Sequence, residues 1–262
     1  MMTENIITVR LIVKTKRVII VVALKDNGYG GTNMPNEVKI SGVKKAMAAN
    51  MAKSWITSPL EGFKVHVDMQ AAIDFRKKFN EEHQADGVKV TFNHMVMKAV
   101  QKALSDYPDM NARYDAETET MTFFENINVG TAVATNRGLI VANVKDVQDM
   151  DLLTLAKEAT ELIGRCQNSK MTYDDITGGT FTITNMGMMG VEGCFPVINM
   201  PELGILGVNE IKKTPTVIDD EIVIRPLMEI NLNCDHRVLD GAYGASFITA
   251  VKNYLENPKE LI

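Results

Sequence analysis

Segments with a helical repeat and segments with a strand repeat follow one another from residue 37 onward, without forming a regular βαβ series. Residues 63–70 alternate strictly between apolar and polar side chains, as a half-buried strand does. Residues 150–167 place apolar side chains at three- and four-residue spacings, which predicts an amphipathic helix. Residues 127–147 indicate a β-hairpin, and residues 179–235 are rich in further strands. This order predicts an α+β two-layer sandwich with a large mixed, mainly antiparallel sheet.

Four more helices are predicted within the same span, one of them over residues 71–84, where Asp68 can act as the cap. The stretch 41–55 begins with Ser41, a residue type that commonly caps helices, and its apolar residues fall near one helical face. Residues 91–107 show a second amphipathic pattern, which Pro108 ends. The pattern at 241–257 predicts a helix that closes the chain.

The N-terminal 36 residues differ in character from the rest. Residues 6–26 are rich in β-branched side chains but are interrupted by Arg10, Lys14, Lys16 and Arg17, and their longest apolar run is VIIVVAL. That run is too short to cross a bilayer, and it lacks the small-residue cleavage site of a secretory signal. We predict one or two strands there and a glycine-rich connector at 27–36. The expected organisation is an N-terminal extension, 1–36, followed by one domain, 37–262.

Composition excludes several classes of function. The 262 residues carry a formal net charge of -5 without any basic block, so neither nucleic acid nor a membrane is an expected partner. Three widely spaced cysteines form no CxxC pair and no zinc pattern, which favours the reducing cytoplasm. His66, His83 and His94 have no partners at ligand spacing, so no metal site is predicted.

The stretch NLNCDHRVLDGAYG, residues 231–244, contains the candidate catalytic histidine. The strand should end near His236, because Asp240 followed by glycine is strong turn chemistry. A histidine at a strand end can act as a general base near neutral pH, with Asp240 fixing the turn or the imidazole. The spacing leaves open that His236 is a buried core residue beside a plain turn. Cys234 could form a Cys/His pair with His236, or it could be a small buried hydrophobic residue. The geometry of an extended strand favours the second interpretation.

A second candidate is the hydroxyl of Thr184, in the stretch GGTFTITNMGMMGVEG at residues 178–193. Thr180, Thr182 and Thr184 share one face of a predicted strand that ends at Asn185 and a glycine-rich loop. A hydroxyl group there can donate a hydrogen bond to an oxyanion. The alternative, favoured for this segment alone, is an edge strand with a solvated threonine face. The loop forms neither GxGxxG nor a P-loop, so it does not predict nucleotide binding.

Four stretches together resemble the catalytic domain of dihydrolipoamide acyltransferases, the core-forming components of 2-oxo acid dehydrogenase complexes. They are DHRVLDGA (235–242), GGTFTITNMGMMGVEGCFPVINMPELGILGVNEI (178–211), SGVKKAMAANM (41–51) and TNRGLIVANVKDVQDMDLLTLAKEATELI (135–163). The resemblance covers about residues 37–262, and DHRVLDG in its C-terminal context is highly specific for the family.

The resemblance implies both a fold and a reaction. The fold is similar to that of chloramphenicol acetyltransferase, an α+β sandwich that trimerises and places each active site between two subunits. The reaction moves an acyl group between dihydrolipoyl-lysine and coenzyme A, without a metal. The implied partners are a homotrimer or a larger assembly of trimers, a lipoylated carrier protein and the other components of a dehydrogenase complex.

The resemblance also implies roles for individual residues. His236 matches the base that deprotonates the attacking thiol, and Thr184 matches the hydroxyl residue that stabilises the oxyanion. Asp240 matches the aspartate that holds the catalytic loop in shape. By the same analogy, His236 of one subunit faces Thr184 of its neighbour. Lys44 and Asn185 are the expected contacts for coenzyme A, and Lys44 stands where the family usually has arginine, whose paired hydrogen bonds an ammonium group cannot reproduce.

Family members usually carry a lipoyl domain and a subunit-binding domain ahead of the catalytic domain. The residues before 37 are too few for either, so a separate lipoylated carrier is expected. Two alternatives stay open. One is a coenzyme A-dependent acetyltransferase with a small-molecule acceptor, although Asp235 replaces the second histidine of chloramphenicol acetyltransferase and favours the lipoyl reaction. The other is a catalytically idle oligomeric core, consistent with the missing domains and with Lys44.

Overall fold

The computed structural model describes residues 8–14, 17–23, 37, 39–40, 42–135 and 138–262. The chain divides into two compact units, Met1–Ile40 and Ser41–Ile262. In the first unit, β1 (Thr8–Lys14) and β2 (Arg17–Ala23) pair as an antiparallel hairpin. The connector predicted at 27–36 and the predicted helix cap Ser41 lie outside the described residues.

Over its described residues, the second unit consists of five α-helices and eight strands joined by loops and short 3₁₀ turns. In chain order these are α1 (Val43–Thr57), β3 (Leu60–Asp68), α2 (Gln70–Glu82), α3 (Phe92–Asp106), β4 (Ala112–Asp115), β5 (Thr120–Phe123), β6 (Val129–Thr135), β7 (Gly138–Val144), α4 (Leu152–Gln167), β8 (Phe181–Asn185), β9 (Gly204–Ile218), β10 (Glu221–Asp235) and α5 (Gly241–Glu256). No helix in the described ranges has the length and apolar content needed to cross a bilayer.

Six strands form one sheet in the order β3-β10-β9-β8-β6-β7. β8 runs parallel to both of its neighbours, β6 and β9, and every other neighbouring pair is antiparallel. β4 and β5 form a separate two-stranded ribbon. The predicted α+β class and the large mixed, mainly antiparallel sheet are therefore confirmed.

Helices cover one face of the six-stranded sheet. Phe181 and Ile183 of β8 are fully buried on that side, and the Phe181 ring lies 5.5 Å from the Phe247 ring of α5. α5 also packs closely on β3, since a Cβ added at Gly244 would lie 2.8 Å from Cζ of Phe63. Because successive side chains of a strand point to opposite faces, the threonines of β8 lie on the other face, away from the helical core.

α1 differs from the other helices of this unit because it buries very little. Its N-cap is Gly42, with a φ of 56° and no side-chain cap. Among the described side chains of α1, Ser54 is the buried one, while Met47 and Trp55 are 41% and 68% exposed. The apolar residues predicted near one face of this helix include Met47 and Met51, which line a cavity on the polar face of the sheet.

Two helical glycines give a matched test of core packing. Gly244 in α5 faces the Phe63 ring, so Gly244→Ala should destabilise the domain by about 1–3 kcal/mol, because the ring has to shift within a packed core. A Cβ at Gly164 in α4 would meet open space, so Gly164→Ala should stabilise the domain by about 0.5–1 kcal/mol. Urea unfolding followed by circular dichroism measures both changes. Equal stabilities of the two variants would contradict the packing of α5 on β3.

Candidate active site

The candidate histidine follows the last residue of β10. Asp235 ends the strand: its backbone N–H donates to the Leu203 carbonyl at 2.9 Å, and its own carbonyl accepts from the N–H groups of Val238 and Leu239. These bonds close a tight turn between the strand and α5. His236 therefore stands at the end of the sheet, on a turn that backbone hydrogen bonds hold in place.

The carbonyl of Leu239 fixes the tautomer of the His236 imidazole. Nδ1 of His236 lies 2.9 Å from Leu239 O. Because a carbonyl oxygen can only accept a hydrogen bond, Nδ1 carries the proton and Nε2 keeps its lone pair. The side chain is 47% exposed, so His236 is not a buried core residue and a substrate can reach the ring. The geometry is that of a general base.

Glu61 approaches the same imidazole, although nothing in the sequence pointed to it. It lies on β3, opposite Cys234 in the register of β3 and β10, and its Oε2 is 3.3 Å from His236 Nδ1. No hydrogen bond to this oxygen is found in the described part of the chain, so the contact is electrostatic. A nearby carboxylate favours the imidazolium that forms when His236 takes up a proton. Gly241 makes room for it, since a Cβ there would lie 3.0 Å from Glu61 Oε1.

The residues on either side of His236 pair with each other. Arg237 Nη2 donates to Asp235 Oδ2 at 2.6 Å, and its Nε donates to Oδ1 at 2.9 Å. The Asp235 side chain is 2% exposed, and hydrogen bonding to it raises the pKa of Arg237. The guanidinium carbon also lies 5.0 Å from the centre of the Tyr114 ring on β4. A two-pronged ion pair of this kind holds the turn rigidly on both sides of the histidine.

Asp240 organises the start of α5 rather than the imidazole ring. It occupies the N-cap position, and its Oδ1 accepts the backbone N–H of Tyr243 at 2.8 Å. A carboxylate at this position satisfies a free N–H group and interacts favourably with the helix dipole. Among the described contacts of Asp240, none involves the His236 ring. Its placement matches that of a loop organiser.

Cys234 packs in the core beneath this turn. Its side chain is fully buried, and burial raises the pKa of the thiol to about 12. A thiol with that pKa is protonated at neutral pH and is a poor nucleophile. The position therefore agrees with a small buried hydrophobe and not with a Cys/His pair.

Thr184 lies in the middle of the sheet, because β8 has β6 on one side and β9 on the other. Thr180, Thr182 and Thr184 are 2%, 1% and 7% exposed. The edge strand with a solvated threonine face is therefore wrong. The physical reason is that alternation along a strand identifies a polar face but not what covers it.

Thr184 lines a cavity of about 730 Å³ on the polar face of the sheet. Met47 of α1, Leu139 of β7 and Phe195 of the loop after β8 form three of its mainly apolar walls. Its polar side chains are few: Asn50, Thr182, Thr184 and Asn199. An apolar cavity with a few convergent polar groups is typical of a site for an organic ligand.

The two residues expected to contact coenzyme A are both exposed. Asn185 uses its amide locally: Oδ1 accepts the Gly187 N–H at 2.9 Å, and Nδ2 donates to Asn93 Oδ1 at 3.4 Å. Lys44 lies on α1 beside Gly138, and no ion pair of this lysine is found within the described ranges. The structure brings neither residue to His236 within one chain.

One chain also keeps His236 and Thr184 apart. Thr184 is paired with Gly207 of β9, which is paired with Asn231 of β10. His236 lies further along β10 and two strands across, so at about 3.3 Å per residue and about 4.8 Å per strand their Cα atoms are roughly 19 Å apart. Histidine and threonine side chains cannot bridge that gap. A single chain therefore carries two separate half-sites.

Comparison with known proteins places the chain in a family. Residues 32–262 match the family of 2-oxoacid dehydrogenases acyltransferase (catalytic domain). The chain belongs to this family. The resemblance found in the four sequence stretches is confirmed by the match.

Relatives of this acyltransferase family show how far the similarity extends. The dihydrolipoyllysine-residue acetyltransferase component of pyruvate dehydrogenase complex from Staphylococcus aureus is 37% identical over 224 residues. That match covers 86% of this chain and 52% of the relative, so the chain spans about half the length of the curated relatives it matches. The crystal structure of Azotobacter vinelandii dihydrolipoamide acetyltransferase has a TM-score of 0.82 at 26% identity, covering 92% of this chain and 99% of that chain. A solved cubic core of a pyruvate dehydrogenase multienzyme complex has the same TM-score, identity and coverage.

Replacing Asp240 tests its role as a helix cap. Asp240→Ala removes the acceptor for the Tyr243 N–H and should lower the free energy of unfolding by about 1 kcal/mol. Asp240→Asn keeps a side-chain oxygen in the same place, so its loss of stability should be much smaller. Urea titrations of both variants at neutral pH measure the difference. Equal losses would contradict the capping role.

Proposed function

We propose that this chain transfers an acyl group between the dihydrolipoyl-lysine of a lipoylated carrier and coenzyme A, within a 2-oxo acid dehydrogenase-type complex. The observation that carries the proposal is the fixed tautomer of His236, whose Nε2 lone pair is free because Nδ1 is bound to the Leu239 carbonyl at 2.9 Å. Membership in the acyltransferase family supports the type of reaction. The name of the Staphylococcus aureus relative supports dihydrolipoyl-lysine as the acyl carrier.

The Azotobacter vinelandii enzyme gives further support for the site residues. Crystallographic and enzymatic work on that enzyme concerned the role of a serine, a histidine and an asparagine in its catalytic mechanism. Those three residues have the same spacing along their chain as Thr184, His236 and Asp240 have here. Threonine keeps the hydroxyl group of serine, and aspartate and asparagine are equally good helix caps.

In the proposed reaction, His236 first accepts a proton and later returns it. Nε2 of His236 takes the proton of the coenzyme A thiol, and the thiolate attacks the carbonyl carbon of the acyl-dihydrolipoyl thioester. The carbonyl oxygen gains negative charge and accepts a hydrogen bond from the Thr184 hydroxyl. Collapse of the tetrahedral intermediate breaks the bond to the dihydrolipoyl sulfur, which leaves with the proton returned by His236. Glu61, 3.3 Å from Nδ1, stabilises the imidazolium between the two proton transfers.

Each complete site, in this proposal, forms between two copies of the chain. His236 and Thr184 of one chain are roughly 19 Å apart, so they cannot act on the same carbonyl group without a neighbour. A cyclic homotrimer pairs His236 of each subunit with Thr184 of the next. The similarity to a cubic core of a pyruvate dehydrogenase multienzyme complex supports a larger assembly of such trimers.

The proposed compartment is the cytoplasm. Cys166, Cys194 and Cys234 are free thiols, and two of them are buried. Unpaired cysteines are typical of a reducing environment.

Removal of the proposed base should abolish most of the activity. His236→Ala is expected to lower kcat for acetyl transfer from acetyl-coenzyme A to dihydrolipoamide by roughly 10²–10⁴-fold, because the attacking thiol loses its proton acceptor. His83→Ala is the matched control, since His83 pairs with Asp86 at the surface and should leave kcat unchanged. Turnover of His236→Ala equal to that of the control would contradict the assignment of His236 as the general base.

Mixing two inactive variants tests whether the site lies between subunits. His236→Ala chains retain Thr184, and Thr184→Val chains retain His236, so co-expression at equal levels should restore about a quarter of the wild-type sites by random assembly. Acetyl transfer per mole of purified mixed oligomer measures the recovery. A double variant that carries both His236→Ala and Thr184→Val, expressed alone, provides the background. Recovery no greater than that background would show that both residues act from the same chain.

A further inference from the structure

Glu202 is a buried carboxyl group for which the proposed mechanism has no use. Glu202 is 3% exposed, and burial raises the pKa of its carboxyl group to about 8. The groups that face the carboxyl are the uncharged side chains of Asn199 and Thr182, while Arg113 of β4 pairs with Glu202 through the backbone. At neutral pH the group is therefore mainly a neutral acid, able to donate as well as accept a hydrogen bond.

Glu202 holds the amide of Asn199 in one orientation. Asn199 Nδ2 donates to Glu202 Oε1 at 2.9 Å and also lies 3.5 Å from Thr182 Oγ1. Asn199 Oδ1 accepts from Asn50 Nδ2 of α1 at 2.9 Å. An amide with partners on both ends cannot rotate without losing hydrogen bonds. Asn50 of α1 and Thr182 of β8 both line the cavity that Thr184 lines, so Asn199 connects α1 to β8 at this cavity.

α1 depends on this connection because its other anchors are weak. Ser54 is buried, but its hydroxyl has no hydrogen-bond partner within the described residues. The remaining side-chain hydrogen bond from α1 to another part of the described chain joins Thr57 Oγ1 to the Met200 sulfur at 3.5 Å. Loss of the Asn50–Asn199 bond would therefore free the helix that covers the cavity.

The same short segment also contacts the histidine loop. Leu203, directly after Glu202, accepts the backbone N–H of Asp235 at 2.9 Å. Segment 199–203 thus contacts the Thr184 half-site at one end and the His236 half-site at the other.

The surroundings of Glu202 contain unmet hydrogen-bonding capacity. Glu202 Oε2 and Asn143 Oδ1 are both buried without a hydrogen-bond partner in the described chain. Both residues crowd onto Gly179: a Cβ there would lie 3.1 Å from Glu202 Oε1 and would clash with Asn143 Oδ1. A proton on the carboxyl supplies the donor that this cluster of acceptors lacks, and ionisation removes it.

We propose that Glu202 is a positioning residue of the acyl-transfer site, which holds Asn199 and through it sets the spacing of α1 and β8 around Thr184. This inference rests on the proposed acyl transfer. Its protonated form keeps the network intact. Ionisation leaves a buried negative charge in this cluster of acceptors and loosens the α1 wall.

Glu202→Gln is the decisive variant, because an amide keeps one acceptor and one donor at every pH. The ratio of wild-type to Glu202→Gln kcat/KM for acetyl transfer should be close to one at pH 6.5 and should fall several-fold as pH rises through about 8. Glu202→Ala should lose roughly 10-fold in kcat/KM at both ends of the range, because both the acceptor and the donor are missing. Glu256→Gln is the control, since the Glu256 carboxylate accepts a hydrogen bond from Asp68 N at the far end of α5. The ratio of wild-type to Glu256→Gln kcat/KM should stay constant with pH.

Stability gives a readout that does not depend on turnover. The pKa of Glu202 lies at about 8 in the folded protein against 4.5 for the free group, so the unfolded chain loses its proton first. The urea midpoint of the wild type should therefore fall relative to Glu202→Gln between about pH 4.5 and pH 8, and level off above.

The possible failures are distinguishable. An active wild type whose kcat/KM ratio to Glu202→Gln stays constant from pH 6.5 to 9 overturns the positioning role alone. Full activity of Glu202→Ala does the same. A folded wild type that transfers no acyl group to dihydrolipoamide or to any small-molecule acceptor overturns the proposed function, and the positioning role falls with it.

Discussion

The end of β10 at Asp235 is the constraint on which the arrangement of this domain depends. Its backbone N–H is bound by Leu203, its carbonyl closes the turn, and its carboxylate holds Arg237 at 2.6 Å. Sheet, turn and the last helix therefore meet at one buried residue. Because these bonds fix the backbone on both sides of His236, the imidazole needs just one more contact, the Leu239 carbonyl, to settle its tautomer. A rigid histidine of this kind requires no reorganisation when it accepts a proton.

One face of the sheet packs against the helical core, and the other carries buried polar residues and the cavity that Thr184 lines. The helical face buries phenylalanine, leucine and isoleucine, while the other face buries threonine and asparagine. Buried polar groups are costly unless they are hydrogen-bonded, and several amides on this face pair with one another, although Asn143 Oδ1 and Asn209 Oδ1 have no partner among the described residues. Asn209 Nδ2, for example, donates to Asn231 Oδ1 at 2.6 Å. Glycines make the space for such amides, since a Cβ at Gly130 would lie 2.7 Å from Asn143 Oδ1.

Local patterns predicted most of the fold but less of the site. Helical and strand repeats identified α3, α4 and the hairpin of β6 and β7, because those repeats depend on neighbours in the chain. His236 is a candidate from the sequence because a strand end, a histidine and an Asp-Gly turn are adjacent in the chain. Glu61 and Glu202 were missed, since each reaches the site through pairing of distant segments. The threonine face of β8 was misjudged for a related reason: a covered polar strand and an exposed one have the same sequence pattern.

The distance between the two half-sites also bears on the unwanted hydrolysis of thioesters in the cell. A thioester is prone to hydrolysis wherever a base and an oxyanion donor meet around it with water present. A newly made chain, with those two groups roughly 19 Å apart, has no place where both act on one thioester. Under the proposed assembly, catalytic competence would appear at the moment of association and would follow subunit concentration by mass action. Association would then be the step that switches the enzyme on, and dilution would switch it off.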